Sequence, residues 1–347
     1  MPTIGCAIAE TLPIAVVEAR GGDEYYEMAN FSDAQKPYQA RPFLKWAGGK
    51  SQLLSQFRLH YPPELAIGSI SCYIEPFLGG GAVFLDIIQS YPITESYLFD
   101  INEELILVYL VVQRAPQRLI EALTSLRSHY LSQNEDGRLD YFYAIREQYN
   151  SQRRTIDFGV FSDAWIERAA LMIFLNKTCF NGLYRVNTSG DFNVPFGRYV
   201  NPVIFEEKNI LHISELLSTA KLSTGSFQDC EPHINDSSFV YFDPPYRPIS
   251  KTSSFTSYAR DKFDDKDQRE LASFYRRMSR KTQAKMMLSN SDPTNVDPTD
   301  DFFDNLYDSF NVYRVTASRM INSVAQGRGR INEILVTNYD RPNYDEE

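Results

Sequence analysis

The sequence YIEPFLGGGAVFLDII, residues 73–88, joins a short β-like run to three glycines and then to apolar residues at helical spacing. Glycines between a strand and a helix let the backbone turn tightly and approach a ligand closely. A second apolar strand, Tyr97 to Phe99, follows and ends at Asp100, at the spacing typical of an acidic residue that binds ribose hydroxyls. The stretch predicts an α/β sheet that binds an adenosine-containing cofactor, and a nicotinamide dehydrogenase would show the same pattern.

A second stretch, SSFVYFDPPY at residues 237–246, ends an apolar run with an acidic residue, two prolines and a tyrosine. Proline has no N–H group and cannot continue a ladder, so the strand must stop near Asp243. A carboxylate, backbone carbonyls and a flat ring then lie at the carboxyl tip of a strand, where open α/β sheets bind ligands. A carboxylate and a carbonyl that accept both hydrogens of a nucleobase amino group would make its nitrogen reactive. A proline-rich turn with an incidental acid is the alternative.

A third stretch, RPFLKWAGGKSQLL at residues 41–54, places a tryptophan, two glycines and a lysine before a helical pattern. The glycine pair would point N–H groups, together with Lys50, at an anion such as a carboxylate. Trp46 offers a ring face to an adenine or to a sulfonium cation. A buried tryptophan beside an ordinary helix start is the alternative for this stretch alone.

Together these stretches carry a family resemblance that runs from about residue 41 to residue 339. The matching motifs are KWAGGK, EPFLGGGAVF, FDIN, NGLYRVN, FNVPFGRY, YFDPPY, FTSY and LSNSD. In this order they resemble the Dam-type (D12 class, alpha group) adenine-N6 DNA methyltransferases, close to the Dpn-type GATC methylases. The resemblance implies a site-specific enzyme that methylates N6 of a flipped-out adenine in double-stranded DNA, with S-adenosylmethionine as methyl donor.

The resemblance also implies the fold and the domain limits. We expect a Rossmann-like α/β fold with the seven-stranded S-adenosylmethionine-dependent methyltransferase sheet. Residues 41–104 and 209–347 would form the catalytic domain, and residues 105–208 a mostly helical target-recognition domain with a β-hairpin. Residues 1–40 would be an N-terminal extension, which we expect to be disordered, and Met28 is a second candidate start of translation.

Local patterns refine this outline. Helices are predicted at residues 103–113, 118–130, 139–149, 166–175 and 266–280, and a hairpin or tight turn at 187–190. Strands are predicted at residues 71–74, 97–99, 239–242, 285–288, 310–317 and 331–337, and the family's sheet implies that one of the last two is antiparallel.

By resemblance, the catalytic residues are Asp243, Pro244 and Tyr246, with the tyrosine stacked on the target base. The implied cofactor-binding residues are Trp46, Lys50, Glu75, Pro76, Phe77, Gly79, Gly81, Asp100, Asn102 and Asp243. Ser226 stands where close relatives often place an acid, so either Asp229 substitutes for that acid or the affinity for the cofactor falls.

DNA reading is predicted for the segment at residues 176–199. By resemblance, Phe180 would wedge between base steps and Asn181 would approach the orphaned thymine. Leu183 would contact a thymine methyl group, and Arg185 would bind a guanine edge bidentately. The alternative for this segment is a compact loop that covers the core.

Three further residues complete the predicted DNA contacts. Lys45 would contact the other guanine, while Pro195 and Tyr199 would line the groove or the backbone. The family pattern mostly recognises GATC, and the leucine and arginine expected for that site are present, so we predict GATC.

The net charge of −10 is concentrated at the two ends of the chain. Residues 1–35 contain six acidic residues and one arginine, and residues 340–347 contain four acidic residues and one arginine. The remaining body carries a net −2, which is compatible with a basic cleft. The basic residues considered for that cleft are Lys45, Lys177, Arg185, Arg198, Arg276, Arg277, Arg280, Lys281 and Lys285.

The four cysteines form no close pair, the four histidines are scattered, and no apolar run reaches membrane-spanning length. The segment before residue 35 lacks the basic leader of a secretory signal. We therefore expect reduced thiols, no metal and no membrane anchor. The family resemblance further implies a protein that is monomeric in solution and acts in the bacterial cytosol or nucleoid.

Other functional classes stay open at this point. A nicotinamide-dependent oxidoreductase would share the glycine loop, but it gives no role to the DPPY motif. A DNA-binding protein without catalysis fits the charge, but it would not need Asp243. The same chemistry on a different short site, and the presence or absence of a partner nuclease, are not decided by the sequence.

Overall fold

The computed structural model describes residues 16–20, 23–27, 38–247, 263–318 and 330–342. A seven-stranded sheet forms its centre, in the strand order β5-β4-β3-β6-β7-β9-β8. The strands are β3 (Cys72–Glu75), β4 (Glu95–Asp100), β5 (Ala220–Thr224), β6 (Ser238–Phe242), β7 (Lys285–Ser291), β8 (Asn311–Ser318) and β9 (Arg330–Thr337). Strand β9 pairs antiparallel with both β7 and β8, whereas the other pairs are parallel. This confirms the predicted α/β sheet with one antiparallel strand.

The helices are α1 (Leu54–Phe57), α2 (Pro63–Ala66), α3 (Ala82–Ser90), α4 (Glu103–Arg114), α5 (Pro116–Ser132), α6 (Glu135–Gln152), α7 (Asp163–Thr178), α8 (Glu207–Leu216), α9 (Asp265–Lys281) and α10 (Phe302–Leu306). The five predicted helices correspond to α4, α5, α6, α7 and α9, each longer than predicted by one to four residues at an end. Capping side chains mark the starts of α4, where Asn102 accepts hydrogen bonds from the second and third helical N–H groups, and of α9, where Asp264 does the same.

The central strands are apolar on both faces because helices cover the sheet on both sides. In β6, Phe239 and Tyr241 pack into one core with α3, α4 and α7, whereas Val240 and Phe242 pack into a second core with α9. All four side chains are fully buried. This burial explains why the sequence shows a continuous apolar run, as is typical of parallel strands inside an α/β fold.

Strand β5 was not among the predicted strands. It lies at one edge of the sheet, where only Ala220 is buried and the rest of the strand is partly or fully exposed. An edge strand with one covered face needs no apolar run, so its sequence, AKLST, gives little signal.

Helices α5, α6 and α7 follow α4 and precede β5, at the place predicted for the inserted domain. A buried ion pair joins α4 to α7, because the Nε of Arg168 donates to Glu104 Oε2 at 2.6 Å. Both side chains are almost completely excluded from solvent. These helices also share one apolar core with α4 and α8.

Two strands are described in the N-terminal segment, β1 (Val16–Arg20) and β2 (Asp23–Glu27), which pair antiparallel in a sheet of their own. The remaining residues before Tyr38 lie outside the described residues. From Tyr38 onward the chain contacts the body, since Tyr38 donates a hydrogen bond to Asn209 Oδ1 at 3.3 Å and Ala40 is buried. Residues 38–40 therefore pack against the residues that follow them.

Candidate active site and nucleic-acid interface

Three acidic residues lie together at the carboxyl edge of the parallel strands. Glu75 is the last residue of β3, Asp100 is the last residue of β4, and Asp243 follows the last residue of β6. Strand β3 lies between the other two strands, so the sheet itself brings these carboxylates to one edge. Sequence positions that are far apart thus form one candidate site.

Asp243 is ion-paired through one of its two oxygens. Oδ1 lies 2.7 Å from Lys50 Nζ and accepts a hydrogen bond from Ser289 Oγ at 3.2 Å. No hydrogen bond from the described residues reaches Oδ2, and the side chain keeps 20% of its exposure. Burial raises the pKa of Asp243, and the Lys50 ammonium opposes that rise. One oxygen therefore carries the ion pair, and the other is open to a ligand.

The two prolines after Asp243 differ in how their carbonyls are used. The Pro245 carbonyl accepts a hydrogen bond from Gln268 Nε2 at 3.1 Å, and Gln268 is fully buried on α9. Within the described residues, no donor reaches the carbonyl of Pro244. Asp243 Oδ2 and the Pro244 carbonyl, on consecutive residues, are thus two acceptors that could bind the two hydrogens of an amino group.

Tyr246 presents its ring beside these acceptors. The residue is 36% exposed, yet its hydroxyl is held at both sides. It donates to Glu333 Oε1 at 2.5 Å and accepts from Lys50 Nζ at 3.0 Å. A planar ring fixed at one end, next to two open acceptors, can bind a flat heterocycle that carries an amino group.

The glycine loop follows β3 and is held by Asp100. Gly79 and Gly81 have φ values of +49° and +67°, a region that favours glycine. Asp100 Oδ2 accepts the Gly79 N–H at 2.9 Å, and Oδ1 accepts the Asn102 N–H at 2.9 Å. Burial raises the pKa of Asp100, and these two N–H groups oppose the rise. Asp100 therefore shapes the loop, and the remaining lone pairs of its oxygens can accept ribose hydroxyls.

Close contacts leave no room for side chains in this loop. A Cβ on Gly81 would lie 2.6 Å from the Tyr109 hydroxyl, and one on Gly79 would lie 3.1 Å from Trp46 Cδ1. Trp46 also stacks on Tyr184, with ring centroids 5.3 Å apart and an interplanar angle of 22°. Trp46 thus connects the glycine loop to the predicted recognition segment, a contact that the sequence analysis missed.

The other predicted cofactor residues line the same edge. Glu75 is buried with Pro76, accepts the Tyr73 hydroxyl at 2.7 Å, and has a pKa raised well above its usual range by burial. The half-buried Phe77 stacks on Phe227, with centroids 5.9 Å apart.

Close relatives often have an acid at the position of Ser226, and one of the two alternatives was that Asp229 takes over its role. In the structure Asp229 has other partners. Asp229 Oδ2 accepts both the N–H of Ser226 at 2.7 Å and its hydroxyl at 3.0 Å. The same oxygen lies close to Gly225, where a Cβ would be 2.8 Å away. Asp229 is thus occupied as a helix-capping partner.

The predicted recognition segment is a hairpin with an irregular ladder. Its described pairing consists of two isolated bridges, Cys179 with Phe196 and Val186 with Phe192. The turn at residues 187–190 is confirmed, since Asn187 Oδ1 accepts the N–H groups of Ser189 and Asp191 at 2.9 Å. This side-chain bonding explains the asparagine at the start of the turn.

The predicted DNA-contacting side chains lie on this hairpin. Phe180 is 52% exposed and Leu183 is 38% exposed, so both apolar side chains are accessible to a ligand. Asn181 has a φ of +56°. Arg185 Nε donates to Asn193 Oδ1 at 2.7 Å, which orients its guanidinium. The Pro195 carbonyl accepts the Phe180 N–H at 2.8 Å.

Lys45 belongs to the same surface although it is far away in the sequence. Its N–H donates to Asn176 Oδ1 at 2.8 Å, and its ammonium lies 4.8 Å from the Tyr199 ring centroid. Gly182 approaches its side chain so closely that a Cβ would lie 2.2 Å from Lys45 Cδ. Lys45 therefore joins the cofactor-side loop to the base of the hairpin.

Three residues of the candidate active site were missed by sequence reasoning: Ser289, Gln268 and Glu333. Ser289 lies in the LSNSD motif, which was recognised without a role for its first serine. Within the described residues, no group of acidic, histidine and cysteine side chains is suited to hold a metal ion. No helix in the described part of the chain has the length and apolar character needed to span a bilayer.

Comparisons with known proteins agree with this geometry. A family model of D12 class N6 adenine-specific DNA methyltransferases matches residues 46–321. The chain is 49% identical over 302 residues to the Type II methyltransferase M.MjaIII of Methanocaldococcus jannaschii, covering 87% of this chain and 100% of that protein. It is 36% identical over 301 residues to the Type II methyltransferase M1.LlaDCHI of Lactococcus lactis subsp. cremoris, covering 86% and 95%.

A DNA adenine methylase of Serratia marcescens is 34% identical over 296 residues, covering 85% of this chain and 97% of that protein. The family match, residues 46–321, includes Trp46, the glycine loop, the hairpin and the DPPY motif. The chain belongs to the D12 class N6 adenine-specific DNA methyltransferases.

Proposed function

We propose that this adenine-specific DNA methyltransferase takes its methyl group from S-adenosylmethionine and modifies N6 of a flipped-out adenine within GATC. The observation that carries the proposal is the pair of open acceptors, Asp243 Oδ2 and the Pro244 carbonyl, beside the anchored ring of Tyr246. The family excludes the nicotinamide-dependent oxidoreductase and the non-catalytic DNA-binding protein that the sequence had left open.

The residues at the carboxyl edge fit S-adenosylmethionine. The glycine loop allows close backbone approach, Asp100 offers acceptors for ribose hydroxyls, and Ile101, which follows it, is 64% exposed and available to an adenine ring. Trp46 and Lys50 would lie near the methionine part. When bound, S-adenosylmethionine supplies an electrophilic methyl group on a positively charged sulfur.

The protein's own groups would prepare the adenine. Asp243 Oδ2 and the Pro244 carbonyl would each accept one N6 hydrogen, which draws the lone pair out of the ring system and towards the methyl carbon. Tyr246 would stack on the base. As the N–C bond forms and the C–S bond breaks, the nitrogen must lose a proton. The partly exposed Asp243 Oδ2 can pass this proton to water.

The hairpin would read the DNA. Phe180 would fill the space left by the flipped adenine, with Asn181 next to the orphaned thymine. Leu183 and Arg185 would contact a thymine methyl group and a guanine edge, and Lys45 the second guanine. We propose that a monomer binds each half of the palindrome in turn, in the cell compartment that holds the DNA, and that the reaction requires no metal ion.

The test uses duplex DNA incubated with enzyme and S-adenosylmethionine. The product is challenged with nucleases that cut GATC only when it is unmethylated or only when it is methylated. We expect protection from the first nuclease and sensitivity to the second, with N6-methyladenine on both strands. Methyl incorporation that leaves both cleavage patterns unchanged would refute the GATC target and retain the enzyme class.

A matched control examines the residue assignment. Asp243→Ala removes one of the two acceptors and should reduce turnover by far more than tenfold at saturating cofactor. Asp86→Ala also removes a buried carboxylate, whose partners Arg58 and Tyr61 are not residues of the candidate site. Activity of Asp243→Ala within about tenfold of wild type would contradict the assignment.

A further inference from the structure

Glu333 is a buried carboxylate that the mechanism above does not use. It lies on β9, opposite Ser291 of β7 and Val315 of β8, and is 6% exposed. Burying a carboxylate costs free energy unless partners compensate for the lost water. A carboxylate at this position therefore requires a reason, and its partners are both parts of the candidate active site.

The partners form a short chain of contacts that ends at Asp243. Glu333 Oε1 accepts the Tyr246 hydroxyl at 2.5 Å, and Oε2 lies 3.8 Å from Lys50 Nζ. Lys50, which is almost completely buried, donates to the Tyr246 hydroxyl at 3.0 Å and contacts Asp243 Oδ1 at 2.7 Å. The Lys50 ammonium is thus shared between two carboxylates, and the Tyr246 hydroxyl lies between Lys50 and Glu333.

This arrangement holds the hydroxyl of Tyr246, whereas the proposed stacking on the substrate uses the face of the ring. The hydroxyl has a donor on one side and a charged acceptor on the other, and hydrogen bonds to charged groups are stronger than neutral ones. The residue nevertheless keeps 36% exposure, so part of the ring remains available for stacking. Without Glu333 the hydroxyl would lose this charged acceptor.

We propose that Glu333 is a positioning residue for methyl transfer, which acts by holding the Tyr246 hydroxyl so that the ring is preset for the target adenine. The inference rests on the proposed function of the same site. It adds a residue from the antiparallel strand β9 to a site otherwise built from the parallel strands and the glycine loops. It also predicts that the Tyr246 hydroxyl, and not only its ring, contributes to the rate.

The test compares Glu333→Ala, Tyr246→Phe and the double variant in single-turnover methylation of preformed enzyme–DNA complexes. Each single variant should lose about tenfold or more in rate, because each removes the same hydrogen bond to a charged group. The double variant should be no more than about twofold slower than the slower single variant. A double variant whose loss is the product of the two single losses would overturn the proposal, and so would an unimpaired Tyr246→Phe.

Two more variants separate positioning from stability. Glu333→Gln keeps an oxygen that accepts the Tyr246 hydroxyl, so we expect its rate within about threefold of wild type. Equal impairment of Glu333→Gln and Glu333→Ala would overturn the proposal. Asp86→Ala is the control, since Asp86 is a buried acid that accepts the Tyr61 hydroxyl at 3.1 Å. It should lower the unfolding temperature and keep the single-turnover rate of the folded enzyme.

Tyr246→Phe retains the fold even if Glu333→Ala does not, because it removes only one oxygen from a partly exposed residue. If the proposed function is wrong, the wild-type enzyme will not transfer methyl groups to GATC. Failure of this inference would appear only in the variants, with the wild type fully active. The two outcomes are therefore distinguishable in one set of measurements.

Discussion

At the scale of single residues, the charge state of Asp243 decides whether the site can activate an amino group. Only the ionised carboxylate leaves both oxygens as acceptors, one for Lys50 and one for the substrate. Burial raises the pKa of Asp243 and so acts against ionisation, whereas the Lys50 ammonium and the Ser289 hydroxyl lower it. Lys50 is thus required to keep Asp243 ionised, in addition to its contact with Tyr246.

This balance predicts an acid limb in the pH profile of turnover. Because burial raises the pKa of Asp243, activity should fall on acidification at a pH above the usual aspartate range. Lys50→Met removes the charge that opposes the rise, so it should move the limb to higher pH. The measurement is turnover against pH at saturating cofactor, with circular dichroism at each pH to verify folding. A limb in the usual aspartate range, or one that Lys50→Met leaves in place, would contradict this account.

Some of these residues could be predicted from the sequence and others could not. Asp243, Pro244 and Tyr246 are consecutive or nearly so, and prolines after an apolar run mark a strand end by themselves. Glu333 lies 87 residues from Tyr246 and reaches it only because β9 returns antiparallel across the sheet. No local pattern carries that information, since a single acid in an apolar strand has many possible explanations.

At the scale of elements, the hairpin should determine sequence preference through Arg185. Asn193 holds the guanidinium, so the side chain is oriented before DNA binds. We expect Arg185→Ala to cost about 1–3 kcal/mol of discrimination at one base pair. The measurement is the ratio of kcat/KM on GATC to that on a duplex with the guanine pair changed. An unchanged ratio would remove Arg185 from base reading.

Lys177 offers the matched control at the end of α7. It is half-buried, and burial followed by the nearby Lys45 charge lowers its pKa to about 8, so it still carries charge at neutral pH. A lysine that binds phosphate contributes equally on every sequence. Lys177→Ala should therefore weaken both duplexes alike and leave their ratio unchanged.

The attachment of α7 to α4 depends on the ion pair of Glu104 and Arg168. Glu104→Ala would leave the fully buried Arg168 without its carboxylate, and it should destabilise the protein by about 3–5 kcal/mol. The measurement is the shift of the urea unfolding midpoint. Arg118→Ala breaks the exposed pair with Asp163 and should give no measurable shift. Equal shifts for both variants would show that the buried pair is not the stronger one.

This ion pair also shows why contacts between helices are hard to predict from the sequence. The apolar run of α4 was recognised, but its first turn carries Glu103 and Glu104, which look like ordinary surface acids of a helix start. Their partners are Arg153, which directly follows α6, and Arg168 on α7. The burial of these charges cannot be predicted from the sequence, because it results from the packing of the helices against each other.

At the scale of the whole molecule, charge and core are distributed differently along the chain. The described body has two apolar cores, one on each face of the sheet. Both cores reach the carboxyl ends of the parallel strands, where the candidate site lies. The acidic ends contribute most of the net −10. A DNA substrate would therefore meet a body close to neutral, and the N-terminal acids would only oppose its approach.

Deleting residues 1–35 should accordingly preserve the enzyme. The described strands β1 and β2 pair only with each other in the sheets, and described contacts with the body begin at Tyr38. We expect an unchanged unfolding temperature, turnover within about twofold, and DNA affinity that is equal or tighter, because six acids and one arginine are removed. Deleting residues 1–44 is the control, since it removes Phe43 and Leu44, which are 6% and 4% exposed. Each buried side chain contributes about 1.5–3 kcal/mol, so the longer deletion should destabilise the protein severely. A destabilised 1–35 deletion would show that the N-terminal segment is part of the folded body.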